Sequence, residues 1–255
     1  MSGQPGHSVK IVRMTRRNAE PCVIRGVFGV TKLFFITGTD TDAGKTFCAC
    51  ALETALRGRG YSVRPYKPIA AGLEADGSNR DILCHLEASG IQVPQQEIAA
   101  QIYREPVAPH IAALKTGQEI TFEALDRGLK RALSGNPDFI ITEGAGGWLL
   151  PVGGGRVLPD WPGMRDMQII IVVGMKLGCL NHALLTRDAV QGRGFRAGGF
   201  ITHSVTAELQ PYYQENLDTL KEMMGIPFLG DIRYEISGNF KEACSDLNLN
   251  LFLSL

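Results

Sequence analysis

Apolar residues along this chain follow two alternating rhythms. Short unbroken runs occupy residues 33–37, 139–142, 168–173 and 198–202. Between them lie longer stretches in which apolar residues recur every three to four positions. The short runs are rich in β-branched and aromatic residues, which predicts strands buried on both faces. Residues 62–66 and 228–230 are shorter strand candidates. The periodic stretches predict helices over 45–56, 79–88, 122–133, 183–191 and 211–224. Gly58 and Gly60 stop the first, Gly90 the second, and Gly135-Asn136-Pro137 follows the third. Strand and helix alternate, so the expected class is α/β, with one doubly wound, mostly parallel sheet and helices on both faces. No repeat or low-complexity linker interrupts residues 32–255, which read as a single domain.

Composition narrows the function classes. A chain of 255 residues buries a sizeable core without staples. Its 44% hydrophobic and 20% charged residues exclude collagen, coiled-coil and disordered classes. The 26 basic and 26 acidic residues cancel, so no global field draws nucleic acid or anionic membrane. No apolar run reaches the roughly 18 residues that a membrane-spanning helix needs. Residues 1–31 scatter Arg13, Arg16, Arg17 and Glu20 without an apolar core or cleavage site. They read as a disordered extension or tag rather than a secretory signal. Six cysteines (Cys22, Cys48, Cys50, Cys84, Cys179 and Cys244) form no C-x-x-C pair and read as free thiols of a reducing compartment. The expected location is the cytoplasm.

The sharpest chemistry lies in Gly38-Thr39-Asp40-Thr41-Asp42-Ala43-Gly44-Lys45-Thr46-Phe47, between a strand and a helix. That context is what a phosphate loop requires. Backbone N–H groups at the helix start point at phosphate oxygens. Lys45 supplies a point charge, and the Thr46 hydroxyl is placed for Mg²⁺. Five residues, not the usual four, separate Gly38 from Gly44. Glu143 closes the strand over 139–142 at the sheet edge where α/β folds bind ligands. Gly144, Ala145, Gly146 and Gly147 follow it and are expected to keep its surroundings open. Asp81, at a helix start, is either a second carboxylate for a cation or a cap. Lys67 follows the second predicted strand and can reach the same edge.

The longer loop resembles that of the dethiobiotin synthetase family, whose pattern is close to G-T-D-T-[ED]-x-G-K-T. Four further segments resemble that family in order. They are Lys67-Pro68-Ile69-Ala70-Ala71-Gly72, Glu105-Pro106-Val107-Ala108-Pro109-His110, Glu143-Gly144-Ala145-Gly146-Gly147-Trp148, and Lys176-Leu177-Gly178-Cys179-Leu180-Asn181-His182-Ala183. The resemblance implies a P-loop NTPase fold and an ATP-dependent ligase of biotin biosynthesis. Such an enzyme carboxylates 7,8-diaminopelargonic acid with CO₂ and closes a cyclic urea, leaving ADP and phosphate. It implies ATP and Mg²⁺ as cofactors, with Thr46, Asp81 and Glu143 as metal ligands. Lys45, Lys67 and Thr41 take catalytic roles. The nucleotide contacts residues 39 to 47, Glu143, Gly144, Ala145, Gly146 and His203. Asp42, Lys67 and Ala71 contact the diamine. Gly178, Cys179, Leu180 and Asn181 grip the carboxylate tail of substrate held mainly by the other subunit, so the resemblance implies a homodimer with composite sites. In that reading the Cys179 backbone N–H makes the tail contact.

The chain departs from the family pattern at four places. Ala71 stands where Ser or Thr is usual, which removes a hydroxyl worth about 1 kcal/mol as a hydrogen-bond partner. His203 stands where an Asn faces the base, and an imidazole edge offers one bond where an amide offers two. Asp42 is one methylene shorter than the usual Glu. No proline follows Ile232. Two competing readings keep the fold: a diverged amidoligase, or a nucleotide-binding regulatory ATPase without substrate turnover. A partitioning ATPase fits less well, because residues 38–43 contain no signature lysine.

Overall fold

The unbroken apolar runs become the centre of one sheet. The computed structural model describes residues 25–26, 29–234 and 239–255. The extension expected over 1–31 falls mainly outside these residues; within it, Arg25–Gly26 and Gly29–Val30 pair as a short antiparallel ladder. The main strands are β1 (Lys32–Gly38), β2 (Val63–Ala71), β3 (Ala99–Tyr103), β4 (Phe139–Glu143), β5 (Gln168–Gly174), β6 (Ala197–His203) and β7 (Phe228–Ile232). They lie in the order β7-β6-β5-β1-β4-β2-β3, and every pairing is parallel.

Alternate residues of each strand face opposite helix layers, as the pleat demands. Phe34, Ile36, Ile141 and Val172 pack with Ala49, Leu52 and Leu56 of helix α1 (Lys45–Gly58) and with Leu249 and Phe252 near the C-terminus. Phe35, Ile140 and Ile171 pack on the other side. There they meet Leu125 and Leu129 of α3 (Phe122–Leu133), Ala183 and Val190 of α4 (Cys179–Gly192), and Leu217 and Leu220 of α5 (Tyr213–Met223). Helix α2 (Arg80–Ser89) lies against α1 and β2, burying Ile82. Gly90 closes it at φ 66° as expected, whereas at its start the Asn79 side chain accepts from Ile82 N.

Three elements differ from expectation. Strand β2 runs to Ala71, so Lys67 lies inside a strand rather than after it. Its partner changes from β4 (through Tyr66) to β3 (from Lys67). Pro68 marks that change without ending the strand. Strand β3 is the sheet's edge, only half buried, and its sequence carries no unbroken apolar run. Helix α4 opens at Cys179, four residues before the periodicity predicts. Its N-cap is the left-handed Gly178, with no capping side chain to announce it.

Candidate active site

Strand β1 pairs with β4 on one side and β5 on the other. The loop after β1 therefore emerges between the ends of two neighbours. Thr39 N donates to Val172 O at 2.9 Å, and Gly174 N donates to Thr39 Oγ1 at 3.3 Å. Asp40 caps the loop: its Oδ1 accepts from Thr41 N at 2.8 Å, and Lys176 Nζ lies 2.7 Å from its Oδ2. That ion pair holds the Asp40 carboxyl below its usual range. Thr41 and Asp42 are exposed, Asp42 in the left-handed region at φ 57°. Ala43 is buried. Gly44 starts helix α1 at φ 90°, and a Cβ there would stand 2.2 Å from His203 Nδ1. Only glycine satisfies both conditions. Helix α1 has no side-chain cap, so its first amides remain directed at the loop. Lys45 is buried and folds back, with Nζ donating to Asp40 O at 3.0 Å. Burial lowers its pKa, and Glu143 partly offsets that.

Behind the loop lies a chain of charges. Thr46 Oγ1 donates to Glu143 Oε1 at 2.9 Å. Lys67 Nζ lies 2.8 Å from the same oxygen and 2.7 Å from Asp81 Oδ2. Burial opposes charge on Lys67, but Glu143 and Asp81 outweigh it and raise its pKa. Burial likewise opposes charge on Glu143, and Lys67 and His85 overcome it, leaving the carboxyl far below its usual range. Asp81 is not the helix cap; Asn79 fills that position, which frees the Asp81 side chain for Lys67. Three hard oxygen donors thus converge within one hydrogen-bonded chain, a donor set that suits Mg²⁺. A buried ammonium already lies between the two carboxylates, so the pocket is shaped for a cation.

The expected residues fall into three groups. Lys45, Thr46, Lys67, Asp81 and Glu143 come together. Thr39, Asp40, Thr41, Asp42, Ala43, Gly44 and Phe47 form the loop around them. Phe47 packs against the His203 ring with centroids 5.5 Å apart. His203 is nine-tenths buried at the end of β6, and burial pushes its pKa down to about 4. Ala71 ends β2 beside this edge. Gly144 corrects one expectation. It opens no space: a Cβ there would meet the Phe35 ring at 2.8 Å, so it brings the strand end close against β1. Gly146 lies near Thr41 and Gly147 near Gly38, and Ala145 just before them is half buried. Among the described residues no hydrogen bond joins the Gly178–Asn181 turn to the Glu143 cluster, although Lys176 just before it pairs with Asp40 of the loop. The Cys179 N–H donates to Lys176 O at 2.9 Å, which corrects its expected free role. The next helix-start amides belong to Leu180 and Asn181.

Two residues were not read from the sequence. Glu53 and His85, both fully buried, extend the charge chain behind Glu143. Their signal was spacing: Glu53 is seven residues after Thr46, and His85 four after Asp81, each on its partner's helix face.

An AAA-domain family model matches residues 32–239. The ATP-dependent dethiobiotin synthetase of Tolumonas auensis is 40% identical over 209 residues, 80% of this chain and 92% of that protein. The Escherichia coli O157:H7 enzyme of the same name is 35% identical over 227 residues, 88% of this chain and all of that protein. The chain belongs to the dethiobiotin synthetase family. Among solved structures, the Aquifex aeolicus MinC:MinD complex aligns with TM-score 0.50 at 17% identity, covering 87% of this chain and 96% of that one. At that identity it supports the fold alone. The five-residue spacing between Gly38 and Gly44 thus sits in a dethiobiotin synthetase framework.

Proposed function

We propose that this chain is an ATP-dependent dethiobiotin synthetase acting as a homodimer. The observation that carries the reading is the convergence of Lys45, Thr46, Lys67, Asp81 and Glu143 on one phosphate loop. Phosphoryl transfer needs positioning and charge neutralisation more than covalent help. The loop amides and Lys45 hold the ATP phosphates. Thr46, Asp81 and Glu143 would hold Mg²⁺, which when bound neutralises charge on the phosphate oxygens. On binding of ATP, Lys45 turns from Asp40 O to the γ-phosphoryl group.

One substrate amine attacks CO₂, forming a C–N bond and losing a proton, to give a carbamate. Lys67 neutralises the carbamate. A carbamate oxygen then attacks the γ-phosphorus, and ADP leaves. The second amine attacks the carbonyl carbon, loses a proton and expels phosphate by cleavage of the C–O bond, closing the urea. Thr41 and Asp42 line the exposed loop where a cationic diamine docks, the Asp42 carboxylate attracting it. Ala71 contacts the same substrate without a hydroxyl. His203, flanked by Phe47, faces the base, and Gly144, Ala145 and Gly146 complete the nucleotide side.

The substrate's carboxylate tail needs an anion site, and the Gly178–Asn181 helix start of a second subunit supplies one. Leu177 beside it is 96% exposed and Leu185 on the same helix 59%, an apolar surface that suits a subunit contact. Cys48, Cys50, Cys84, Cys179 and Cys244 are all free, which suits the cytoplasm.

The test is phosphate release with ATP, Mg²⁺ and bicarbonate, with and without 7,8-diaminopelargonic acid. Release that requires both the diamine and bicarbonate is expected. Diamine-independent release would establish the regulatory-ATPase reading instead.

A further inference from the structure

The helices that bring Thr46 and Asp81 to the site each carry a second polar group deeper in the core. Glu53 on α1 and His85 on α2 are both 0% exposed. His85 Nδ1 lies 2.7 Å from Glu53 Oε1, and Nε2 lies 2.6 Å from Glu143 Oε2. Glu53 Oε2 has no hydrogen-bond partner among the described residues. Cys50 Sγ is 3.9 Å from Nδ1. Stability gives no reason for this arrangement. Apolar residues of similar volume usually serve a helix contact as well as a buried ionic pair does. An unpartnered buried carboxylate oxygen adds a further cost.

The arrangement does have a consequence at Glu143. A terminal carboxylate torsion is soft and roughly two-fold. Either oxygen, or both, could turn to the phosphate loop. His85 takes Oε2, and Oε1 is left against Thr46 Oγ1 and Lys67 Nζ. Glu53 holds the other side of the imidazole, so the ring cannot turn away. We propose that His85, braced by Glu53, is a positioning residue that fixes the Glu143 carboxylate so that Oε1 alone is presented to the divalent cation. The inference rests on the reading of Glu143 as a cation ligand. Groups that orient metal ligands in this way typically control metal affinity by about 10- to 100-fold.

The decisive variant is Glu53→Leu/His85→Leu, which replaces the pair by apolar residues and releases Glu143 Oε2 from its His85 partner. Mn²⁺ binding to the ADP complex is read by electron paramagnetic resonance, alongside thermal unfolding and the Mg²⁺ dependence of phosphate release. The expected result is a folded variant whose Mn²⁺ affinity is lowered about 10-fold. The half-saturating Mg²⁺ concentration should rise in parallel, while ADP binding without metal is unchanged. A folded double variant with parental Mn²⁺ affinity overturns the proposal. If that variant does not fold, His85→Gln decides: one amide cannot hold both Glu53 and Glu143, so weakened Mn²⁺ binding supports the proposal and unchanged binding overturns it. Glu143→Gln separates the two levels. If it leaves Mn²⁺ binding intact, the cation reading of Glu143 fails and the inference with it. If it weakens binding while the double variant does not, only the positioning role fails.

Discussion

Helices α1 and α4 are built on one local plan. They follow adjacent parallel strands, β1 and β5. Each opens on a left-handed glycine, Gly44 at φ 90° and Gly178 at φ 92°, without a side-chain cap. Each runs for 14 residues. Their surroundings are opposite. The α1 start is enclosed: Lys45 is buried, His203 presses on Gly44, and the Glu143 cluster lies behind. The α4 start is open. Leu177 is almost fully exposed, and the nearest atom to a Cβ on Gly178 would be His182 Cε1 at 3.9 Å. A strand–glycine–helix unit supplies backbone amides in either place. Tertiary contacts decide what those amides serve. One end finds its partners inside the chain, and the other presents leucines outward, the surface on which the proposed shared site would rest.

The largest expected break in this comparison is Lys45→Ala. Diamine-dependent phosphate release should fall by on the order of 10³-fold with the circular dichroism spectrum unchanged. An active variant would remove the α1 end from the phosphate chemistry. Next comes the α4 end. Leu177→Asp should halve the solution mass by light scattering and raise the diamine KM about 10-fold, consistent with loss of one interface anchor. Nucleotide binding should persist. A variant that stays dimeric with parental KM would show that this face is not the shared one.

A third test sets the two glycines against each other. Both alanine replacements meet the left-handed penalty of about 1–2 kcal/mol. At Gly44 the new Cβ also collides with His203, whereas at Gly178 it meets open space. Gly44→Ala should therefore cost at least about 1 kcal/mol more than Gly178→Ala in urea unfolding. Equal costs would mean that His203 yields freely.

The smallest effect is acid sensitivity at the α1 end. The unfolded His203 imidazole titrates near 6.5, while burial pushes the folded one down to about 4. Between those values the unfolded chain binds a proton that the folded chain refuses. Stability is therefore full above about pH 6.5 and falls as pH drops through the window. From pH 6.5 to 5.5 the loss from this group is about 1 kcal/mol. His203→Gln should flatten the urea-unfolding difference between those two pH values by that amount; an identical slope would remove His203 as its source.

Much of the site was legible because its residues sit in contiguous motifs. Gly38 to Thr46 announces a phosphate loop by itself, and Glu143 lies at the end of an unmistakable apolar run. Helix 122–133 was placed to the residue by its apolar face, and the structure caps its start with the Thr121 side chain. Strand β3 was not legible, because an edge strand needs no continuous burial. The α4 start was not, because a glycine N-cap carries no side-chain signature. Lys67 was found but misplaced, since Pro68 masks a strand that continues on a different partner.

Local patterning alone determined the alternation of strands and helices, the phosphate loop and the identity of its charged residues. These depend on spacing within a few residues, which the chain carries directly. The tertiary structure decided which of those residues meet. Sheet order set β1 between β4 and β5, which brought Glu143 to Thr46 across 97 positions and to Lys67 across 76. It also buried Glu53 and His85 behind that carboxylate, a contact between two helices that no local rule contains.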